Sequence, residues 1–337
     1  MLSENTFVDA LKSDLNYSAE FQRLFRGIEK PEQLDQILGN KDSLVENKIS
    51  SCPVKIKGVF QVEDLIEKGL ISKTGIEEIL VIRPFSLDGS FVGHKITIGG
   101  PVYLDKNVVI GRSVISGPAA ILESSRIHDS HLRGGKDGSV YIGRSCALWD
   151  FTVIIRSFIG DNSLIHTCNV NDSIVGSDCQ LGAARTIVDF EEFEKTNSFN
   201  GINKLDSRIV ICNFSQGNKI RIFNPTNDTL CETGKEHFGA IIGTGVWMGS
   251  GTITYPGTII GTKAKINSTI PVVGYVPPRH NCTVFLSVKK NKKGKSQIQL
   301  KGGYKIESNC KKSCNLANNA CNATEAAKHN LVKVILK

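Results

Sequence analysis

The sequence predicts a mainly β protein built around a three-sided parallel β-helix, and three observations support this. Aliphatic residues recur at every sixth position between residues 96 and 280, and many are followed by Gly or another small residue. This period fits neither an amphipathic helix, which repeats every 3.6 residues, nor a half-exposed strand, which alternates with period 2. Residues 18 apart, such as Ile242 and Ile260, therefore stack on one face of a coil of three short strands.

The repeat starts near residue 96 and is interrupted by short insertions and one long excursion. At each anchor an inward side chain fills the prism, and small residues beside it let the chain turn a corner. With a strand spacing of about 4.8 Å, about seven coils give a prism about 34 Å long. The anchors are Ile98, Leu104, Ile110, Ser116, Leu122, His128, Ile142, Leu148, Ile154, Ile159, Ile165, Asn171, Val175, Leu181, Ile187, Ile242, Met248, Thr254, Ile260, Ile266 and Val272.

Residues 1–95 precede the repeat and predict a small α/β region. Helices are predicted within 6–15, 18–28 and 62–69, followed by a strand within 77–85.

The β-helix itself is predicted to span residues 96–280, with an excursion loop at 188–237. The first part of this excursion is acidic and rich in Asn, which is typical of a lid or flexible loop. Two later stretches, 208–213 and 219–231, alternate like strands and predict a small hairpin.

Residues 281–337 form a basic C-terminal extension, and nearly all of the excess positive charge of the chain lies there. The net charge is +8, whereas residues 282–337 contain many Lys and no Arg or Asp. Such a composition is typical of a solvated, partly disordered tail, with nucleic-acid contact as a minor alternative. A zinc site from Cys310, Cys314 and Cys321 would lack a second ligand pair.

The composition also restricts location and redox state. No apolar run is long enough to cross a membrane, and Asp9 and Asp14 interrupt the region where a signal peptide would need an apolar stretch. We therefore expect a cytoplasmic protein without membrane contact, whose ten Cys are free thiols.

Two segments resemble the hexapeptide-repeat acyltransferases, whose fold is a left-handed parallel β-helix. The first, IHTCNVNDSIVGSDCQLGAARTIVDF at 165–190, is similar to the C-terminal domain of bifunctional sugar-1-phosphate nucleotidylyltransferase/N-acetyltransferases. The second, GKEHFGAIIGTGVWMGSGTITYPGTIIG at 234–261, resembles the stretch that re-enters the helix after that family's excursion. The Gly-rich phosphate loop of the nucleotidylyltransferase domain is missing here, so nucleotidyl transfer is not expected.

The resemblance implies acetyl transfer from coenzyme A to an amino sugar or sugar phosphate, in a homotrimer and without a metal. His166 matches the family's catalytic His and is the candidate base, because a neutral imidazole can take the proton of the nucleophile. Asn169 stands where the family has Tyr, and Asp189 where it has Asn. We expect Asp189 to orient the imidazole or to bind a substrate amine.

The resemblance also places the acetyl-CoA groove along the late coils. Lys263, Lys265 and Arg279 are candidates to bind the phosphates of the coenzyme, because cationic groups are needed there. Trp247 is expected to point outward, where it would stack on adenine or a sugar ring or be buried between subunits.

Other interpretations remain open from the sequence. The replacement of the family's Tyr and Asn is compatible with a non-catalytic β-helix that binds a sugar nucleotide or serves as an assembly scaffold. His237 is a second candidate base. His128 and His131 suggest a histidine-bound zinc, although their spacing differs from the His-x4-His of β-helical carbonic anhydrases.

Overall fold

The chain folds into a left-handed parallel β-helix of about nine turns, which confirms the predicted fold class. The computed structural model describes residues 19–28, 33–34, 36–182, 209–213, 219–224, 229–268, 270–284, 287–290, 296–299 and 304–308. In each coil the chain passes from face A to face C, then to face B, and back to face A. We call the turn between faces A and C the A–C corner, and the turn between faces C and B the C–B corner.

Face A is a 10-stranded sheet that is parallel from its third strand onward. In sheet order its strands are β1 Lys55–Lys57, β4 Phe85–Asp88, β7 Val102–Leu104, β10 Ala119–Ile121, β13 Val140–Ile142, β16 Phe158–Ile159, β19 Ile174–Val175, β24 Ile241–Ile242, β27 Ile259–Ile260 and β30 Tyr275–Val276.

Face C is an 11-stranded sheet that carries the candidate site. In sheet order its strands are β2 Ile71–Lys73, β3 Glu78–Val81, β8 Val109–Gly111, β11 Arg126–His128, β14 Ala147–Trp149, β17 Leu164–His166, β20 Gln180–Leu181, β25 Trp247–Met248, β28 Lys265–Ile266, β31 His280–Val284 and β34 Tyr304–Ser308.

Face B is a nine-stranded sheet. In chain order its strands are β5 Ser90–Gly93, β6 Ile96–Gly99, β9 Val114–Ser116, β12 His131–Arg133, β15 Val153–Ile155, β18 Cys168–Asn171, β21 Ile209–Ile211, β26 Ile253–Thr254 and β29 Pro271–Val272. Two separate hairpins are formed by β22 Arg221–Asn224 with β23 Thr229–Glu232, and by β32 Ser287–Lys290 with β33 Ser296–Gln299.

The register of the late coils confirms the six-residue period. Ile242 pairs with Ile260 on face A, and Met248 pairs with Ile266 on face C. All four side chains are fully buried in the continuous core of the prism. These anchors are thus buried by the coils before and after them, as expected for a solenoid. The prediction was wrong for Ser116, His128 and Asn171, which point outward, because the apolar residue just before each of them fills the core instead: Ile115, Ile127 and Val170.

The region before the repeat contains helices α1 Ala19–Leu24, α2 Gln36–Ser51 and α3 Val62–Glu67. Helices α1 and α3 were predicted, and the helix predicted within 6–15 lies outside the described residues. Helix α2 was not predicted, because its buried positions, Ile37, Lys41 and Val45, include too few apolar residues to mark a helical period.

Helices α1 and α2 pack on the outer side of face A. Phe21 lies 6.1 Å from Phe158 between ring centroids, and Phe158 stacks on Tyr141 at 4.7 Å. These outward aromatic residues form a second buried cluster, separate from the core of the prism. The outer side of face A is therefore an internal surface of this chain.

A buried lysine joins helix α2 to the prism. The Lys41 ammonium donates hydrogen bonds to the main-chain oxygens of Ser139 at 2.6 Å and Arg156 at 2.7 Å, and it lies 3.1 Å from the Asp42 carboxylate. Asp42 in turn accepts hydrogen bonds from the main-chain N–H and the hydroxyl of Ser139. Burial is the main effect on this group, and it lowers the pKa of Lys41.

This lowered pKa predicts how stability depends on pH. Lys41 titrates at 10.5 in an ordinary environment, and the folded protein holds its proton less strongly than the unfolded chain. Between the two pKa values the unfolded chain binds more protons, so the free energy of unfolding rises with pH through that window. We expect Lys41→Met to flatten this rise in denaturant titrations carried out below pH 10.5, the ordinary pKa of lysine. Lys48→Met on the same helix is the control, and an unchanged slope in Lys41→Met would contradict the assignment.

The excursion differs from its prediction. Residues 209–211 were expected to form a hairpin with the following stretch, but they form strand β21 of face B, paired with β18 and β26. Their side chains Ile209 and Ile211 are fully buried, and burial in the prism is more favourable than an exposed hairpin. The hairpin instead joins β22 and β23, and it covers the later part of face A, where Phe223 stacks on Tyr275.

The first part of the C-terminal extension is also more regular than predicted. Strand β31 continues face C beside β28, and β34 pairs with it in antiparallel fashion. Cys282 on β31 is buried in the core, which explains why the sheet continues beyond residue 280. The rest of the extension, from residue 309, lies outside the described residues.

The seven described Cys are free thiols, as predicted. Burial raises the pKa of Cys146, Cys168 and Cys179 to about 12, which keeps these thiols protonated and unreactive. Over the described part of the chain, none of the helices has both the length and the apolar character needed to cross a bilayer.

Candidate active site

His166 lies at the outer edge of face C, where strand β17 meets the C–B corner. Its ring nitrogen Nε2 is 2.6 Å from the Asp150 carboxylate, and its Nδ1 is 3.1 Å from the Thr167 hydroxyl. The strand register produces this arrangement, because His166 pairs with Trp149 of the preceding coil. Asp150 and Thr167 are the next residues along the chain, so both occupy the C–B corner.

The partners of His166 determine where its proton lies. A carboxylate only accepts hydrogen bonds, so the neutral imidazole carries its proton on Nε2 and donates it to Asp150. The lone pair of Nδ1 is then free to accept the hydroxyl proton of Thr167. An imidazole oriented in this way by a carboxylate is the arrangement of a general base.

A second histidine on the same face shows what distinguishes His166. His128 stands at the outer edge of β11, with Nδ1 2.8 Å from the Asp129 carboxylate and Nε2 3.1 Å from the Glu78 carboxylate. Both of its nitrogens face carboxylates, so unlike His166 it has no nitrogen directed at a hydroxyl group. Arg112 also pairs with Asp129 at 2.6 Å, which makes His128 part of a structural ion-pair network.

A groove of about 200 Å³ lies beside the His166–Asp150 pair on face C. It is lined by Glu78, Val109, Arg126, Ile127, His128, Trp149 and Asp150. The indole of Trp149 offers an aromatic face, and Arg126 and the carboxylates offer hydrogen-bond donors and acceptors. Aromatic platforms combined with convergent polar groups suit a ring that bears hydroxyl groups.

The cationic residues predicted to bind coenzyme A lie on the late coils, as expected from their sequence positions. Lys263 and Arg279 occupy successive turns of the A–C corner: the Lys263 N–H donates to Thr244, and the Arg279 N–H donates to Thr262. Lys265 is exposed on face C and pairs with Trp247 of the preceding coil. The four predicted residues thus form one region along face C and its A–C corner.

Trp247 points outward, as predicted, and is half-buried. Its indole N–H is buried without a hydrogen-bond partner among the described residues. It lies two strands from β17, a separation of about 10 Å at the usual strand spacing. Trp247 and His166 therefore belong to neighbouring regions of the same face.

Of the other two predicted catalytic residues, the structure describes Asn169, which is not brought to His166. Asn169 points outward from face B, around the C–B corner, where it pairs with Val153 and Val210. Its side-chain oxygen is buried and has no hydrogen-bond partner in the described part of the chain. Asp189 lies outside the described residues, so its predicted role stays a prediction.

The partner that does contact His166 was not found from the sequence. Asp150 precedes His166 by 16 residues, and the coil between them is shorter than 18 residues because of a deletion. One sequence signal could have identified Asp150 as the partner of His166: it is an acidic residue at the equivalent corner of the preceding coil. Thr167 gave no signal, because a hydroxyl beside a histidine is common on any surface.

A zinc site formed by His128 and His131 is not supported by the geometry. His128 points out from face C, whereas His131 points out from face B. Among the residues that the structure describes, no group of three His, Cys, Asp or Glu is placed to hold a metal ion.

Comparison with known proteins gives sequence relatives of one kind. No family model matches the chain. It is 29% identical over 147 residues to the bifunctional protein GlmU of Clostridium botulinum strain Kyoto, covering 41% of this chain and 31% of that protein. GlmU of C. botulinum strain 657 is 32% identical over 124 residues, covering 34% and 27% of the two chains. The chain spans about a third of the length of these relatives.

Solved structures with a similar course include the UDP-N-acetylglucosamine acyltransferase of Francisella novicida, at 14% identity and a TM-score of 0.40, covering 62% of this chain and 63% of that chain. The polysialic acid O-acetyltransferase OatWY has 14% identity and a TM-score of 0.21, covering 80% and 96%. The sequence relatives and the β-helix itself agree with the resemblance seen in the sequence: this is a left-handed β-helix protein that is similar, over part of its length, to the bifunctional protein GlmU.

Proposed function

We propose that the protein transfers an acyl group, most simply acetyl, from coenzyme A to an amino or hydroxyl group of a sugar. The observation that carries this proposal is the His166 imidazole, which is held by Asp150, a residue that also lines a groove with an aromatic wall. The sequence relatives and the named sugar acyltransferases among the structural neighbours support the same general chemistry.

In this mechanism His166 is the base of the reaction. Asp150 accepts a hydrogen bond from the Nε2–H group, which fixes the tautomer and stabilises the imidazolium that forms when Nδ1 takes a proton. General-base catalysis of this kind contributes about 10²–10⁴-fold to a rate.

The acceptor sugar is proposed to bind in the groove between Trp149 and Arg126. The pyranose ring would stack on the indole, and its hydroxyl or amino group would face the His166–Asp150 pair. Among the described residues Arg126 has no carboxylate partner, so its guanidinium is available to a polar or anionic substituent of the sugar.

The acyl donor is proposed to lie along the late coils. Lys263, Lys265 and Arg279 would bind the phosphates of coenzyme A, and Trp247 would stack on its adenine or line the path of its pantetheine arm. This orientation places donor and acceptor on opposite sides of His166 along the axis of the prism.

Assembly as a homotrimer is part of the same proposal. The outer side of face A is covered by α1, α2 and the β22–β23 hairpin of the same chain. Subunit contacts would therefore form through faces B and C and their corners. A cytoplasmic location likewise stays a prediction.

The proposal is tested by measuring release of the coenzyme A thiol with acetyl-CoA and a panel of amino sugars, sugar phosphates and neutral sugars. We expect saturable acetyl-CoA binding and turnover with at least one sugar. Trp149→Ala should raise the KM for that sugar about tenfold or more, because a stacked ring loses its platform. Exchange of Tyr255, an exposed aromatic of face B, for Ala is the matched control. Acetyl-CoA or sugar binding without turnover across the panel would favour the non-catalytic scaffold instead.

A further inference from the structure

An exposed phenylalanine stands beside the candidate site. Phe151 follows Asp150 at the C–B corner, and its side chain is 64% exposed, whereas every other Phe or Trp that the structure describes is buried or half-buried. We propose that Phe151 binds a second unit of the acceptor, joined to the sugar that reacts, so that the acceptor is a glycoside or an oligosaccharide. This inference rests on the proposed acyl transfer and specifies the class of its acceptor.

The corner that carries Phe151 is one residue longer than the corners next to it. Three residues, 150–152, separate Trp149 on face C from Val153 on face B, whereas two residues separate the equivalent positions in the coils before and after. The inner position of each corner holds a small side chain that donates to the main chain of the next coil, namely Ser130, Thr152 and Cys168. The additional residue is therefore accommodated on the outer side, toward solvent.

The backbone at this corner does not call for a phenylalanine. A corner of the same length recurs at 250–252, where the Thr252 hydroxyl donates to the main chain three residues back, as the Thr152 hydroxyl does. Gly251 takes the place of Phe151 there, and both have a positive φ, 72° and 59°. Gly adopts this conformation readily, whereas a bulky residue rarely does. Neither the backbone nor burial accounts for the phenyl ring, so a contact outside the chain is the remaining physical reason for it.

Hydrogen bonding fixes Phe151 at the edge of the groove described above. Its N–H donates to the main-chain oxygen of Asp129 at 2.8 Å, so the residue lies against the preceding coil, on the side of the groove. His128, which precedes Asp129, and Asp150 both line the groove, and Trp149 forms its aromatic wall. Phe151 is not one of the lining residues, so it borders the groove from outside.

The size of the groove determines what can reach this ring. Its volume of about 200 Å³ lies below the roughly 300–1,000 Å³ of pockets that enclose drug-sized ligands, so it has room for about one sugar ring. A sugar that stacks on Trp149, with its reacting group toward the His166–Asp150 pair, fills this space. Any unit joined to that sugar has to leave the groove, and Phe151 stands where the groove meets the C–B corner.

A phenyl ring selects for a second ring rather than for particular hydroxyl groups. It carries no hydrogen-bond donor or acceptor, and its face packs against the C–H groups of a pyranose or against an aryl substituent. The contact is apolar and lies away from the reacting atoms. Loss of the ring should therefore weaken binding of an extended acceptor and leave the chemical step unchanged.

The test compares three acceptors with the full chain and acetyl-CoA: the sugar that the panel shows to react, its p-nitrophenyl glycoside and its disaccharide. We expect the native protein to have a KM about tenfold lower for the two extended acceptors than for the single sugar. Phe151→Ala should reduce this preference to about twofold or less, with kcat and the KM of the single sugar within about threefold of the native values. Phe151→Trp should keep the preference.

Two further variants show which part of the acceptor each aromatic residue holds. Trp149→Ala should raise the KM of all three acceptors, because Trp149 is proposed to hold the reacting ring itself. Tyr255→Ala removes an exposed aromatic side chain from face B and should leave all three values unchanged. Circular dichroism and light scattering would show that each variant keeps the fold and the oligomeric state of the native protein.

Three results would overturn the inference alone. One is a native protein that binds the single sugar as well as the extended acceptors, and another is a Phe151→Ala protein that keeps the native preference. The third is a change of oligomeric state in Phe151→Ala, which would assign the ring to a contact with a second copy of the chain. In all three cases acyl transfer with His166 as base remains intact. A native protein that acetylates no sugar, glycoside or disaccharide would overturn the proposed function itself, and this inference with it.

Discussion

Replacement of His166 by Ala is expected to lower acyl transfer by about 10²–10⁴-fold, the range for loss of a general base. The loss should appear in kcat, because His166 acts on the reacting proton. The affinity for acetyl-CoA should stay within about threefold, since the cations proposed to bind it lie on later coils. Initial rates of thiol release and calorimetric titration with acetyl-CoA would measure the two effects separately.

The variant Asp150→Asn tests the contribution of the orienting carboxylate separately from that of the base, His166. An amide at this position can donate to Nε2 and favour the other tautomer, so we expect a smaller but clear loss of kcat, accompanied by a changed pH profile. His131→Ala is the matched control, because this exposed histidine projects from face B. Full activity of His166→Ala would eliminate the proposed base, and a comparable loss in His131→Ala would show that the effect is not specific.

Replacement of Asp172 by Ala is expected to destabilise the fold by about 3–5 kcal/mol, the range for breaking a buried ion pair. Asp172 is only 4% exposed and accepts hydrogen bonds from Arg156 at 2.6 and 2.7 Å. It also accepts one from the Asn213 amide, and its main-chain oxygen accepts the N–H of Gly239. The carboxylate therefore joins a coil of the prism to Asn213, at the start of the segment that carries the β22–β23 hairpin, whereas the main chain of Asp172 makes the bond to Gly239 at its other end.

The removal of Asp172 would leave the Arg156 guanidinium partly buried without its carboxylate, and this uncompensated charge accounts for most of the expected effect. Urea denaturation monitored by circular dichroism would measure the change in unfolding free energy. Asp88→Ala is the control, because Asp88 and Lys57 form an exposed pair worth less than about 1 kcal/mol. Equal stability of the two variants would show that Asp172 does not connect these segments.

The prism was predictable because its determinants are local and repeated. Each hexad supplies one inward aliphatic residue, and the same requirement recurs in every coil, so Ile242 and Ile260 could be paired from spacing alone. Strand β21 was not predictable in this way. A single apolar stretch within an irregular segment, here Ile209 to Ile211, gives the same pattern whether it joins the prism or forms a hairpin.

The packing of the N-terminal helices against the prism could not be predicted from the sequence either. Helix α2 is held by the ammonium of Lys41, whose partners are main-chain oxygens nearly a hundred residues or more away. Main-chain oxygens are present at every residue and carry no sequence signal. Only the outward aromatic residues of face A, such as Tyr141 and Phe158, hinted that this side of the prism is covered.

By itself, the sequence determined the period, the three-sided coil and the position of His166 at one of its corners. The tertiary structure decided which groups meet that imidazole: Asp150 from the coil before it and Thr167 beside it, while Asn169 turned onto another face. The physical reason is that insertions and deletions of one or two residues shift the register between coils. A shift of one residue turns a side chain from the core side of a strand to its outer side, and the register between coils is fixed only when the core packs.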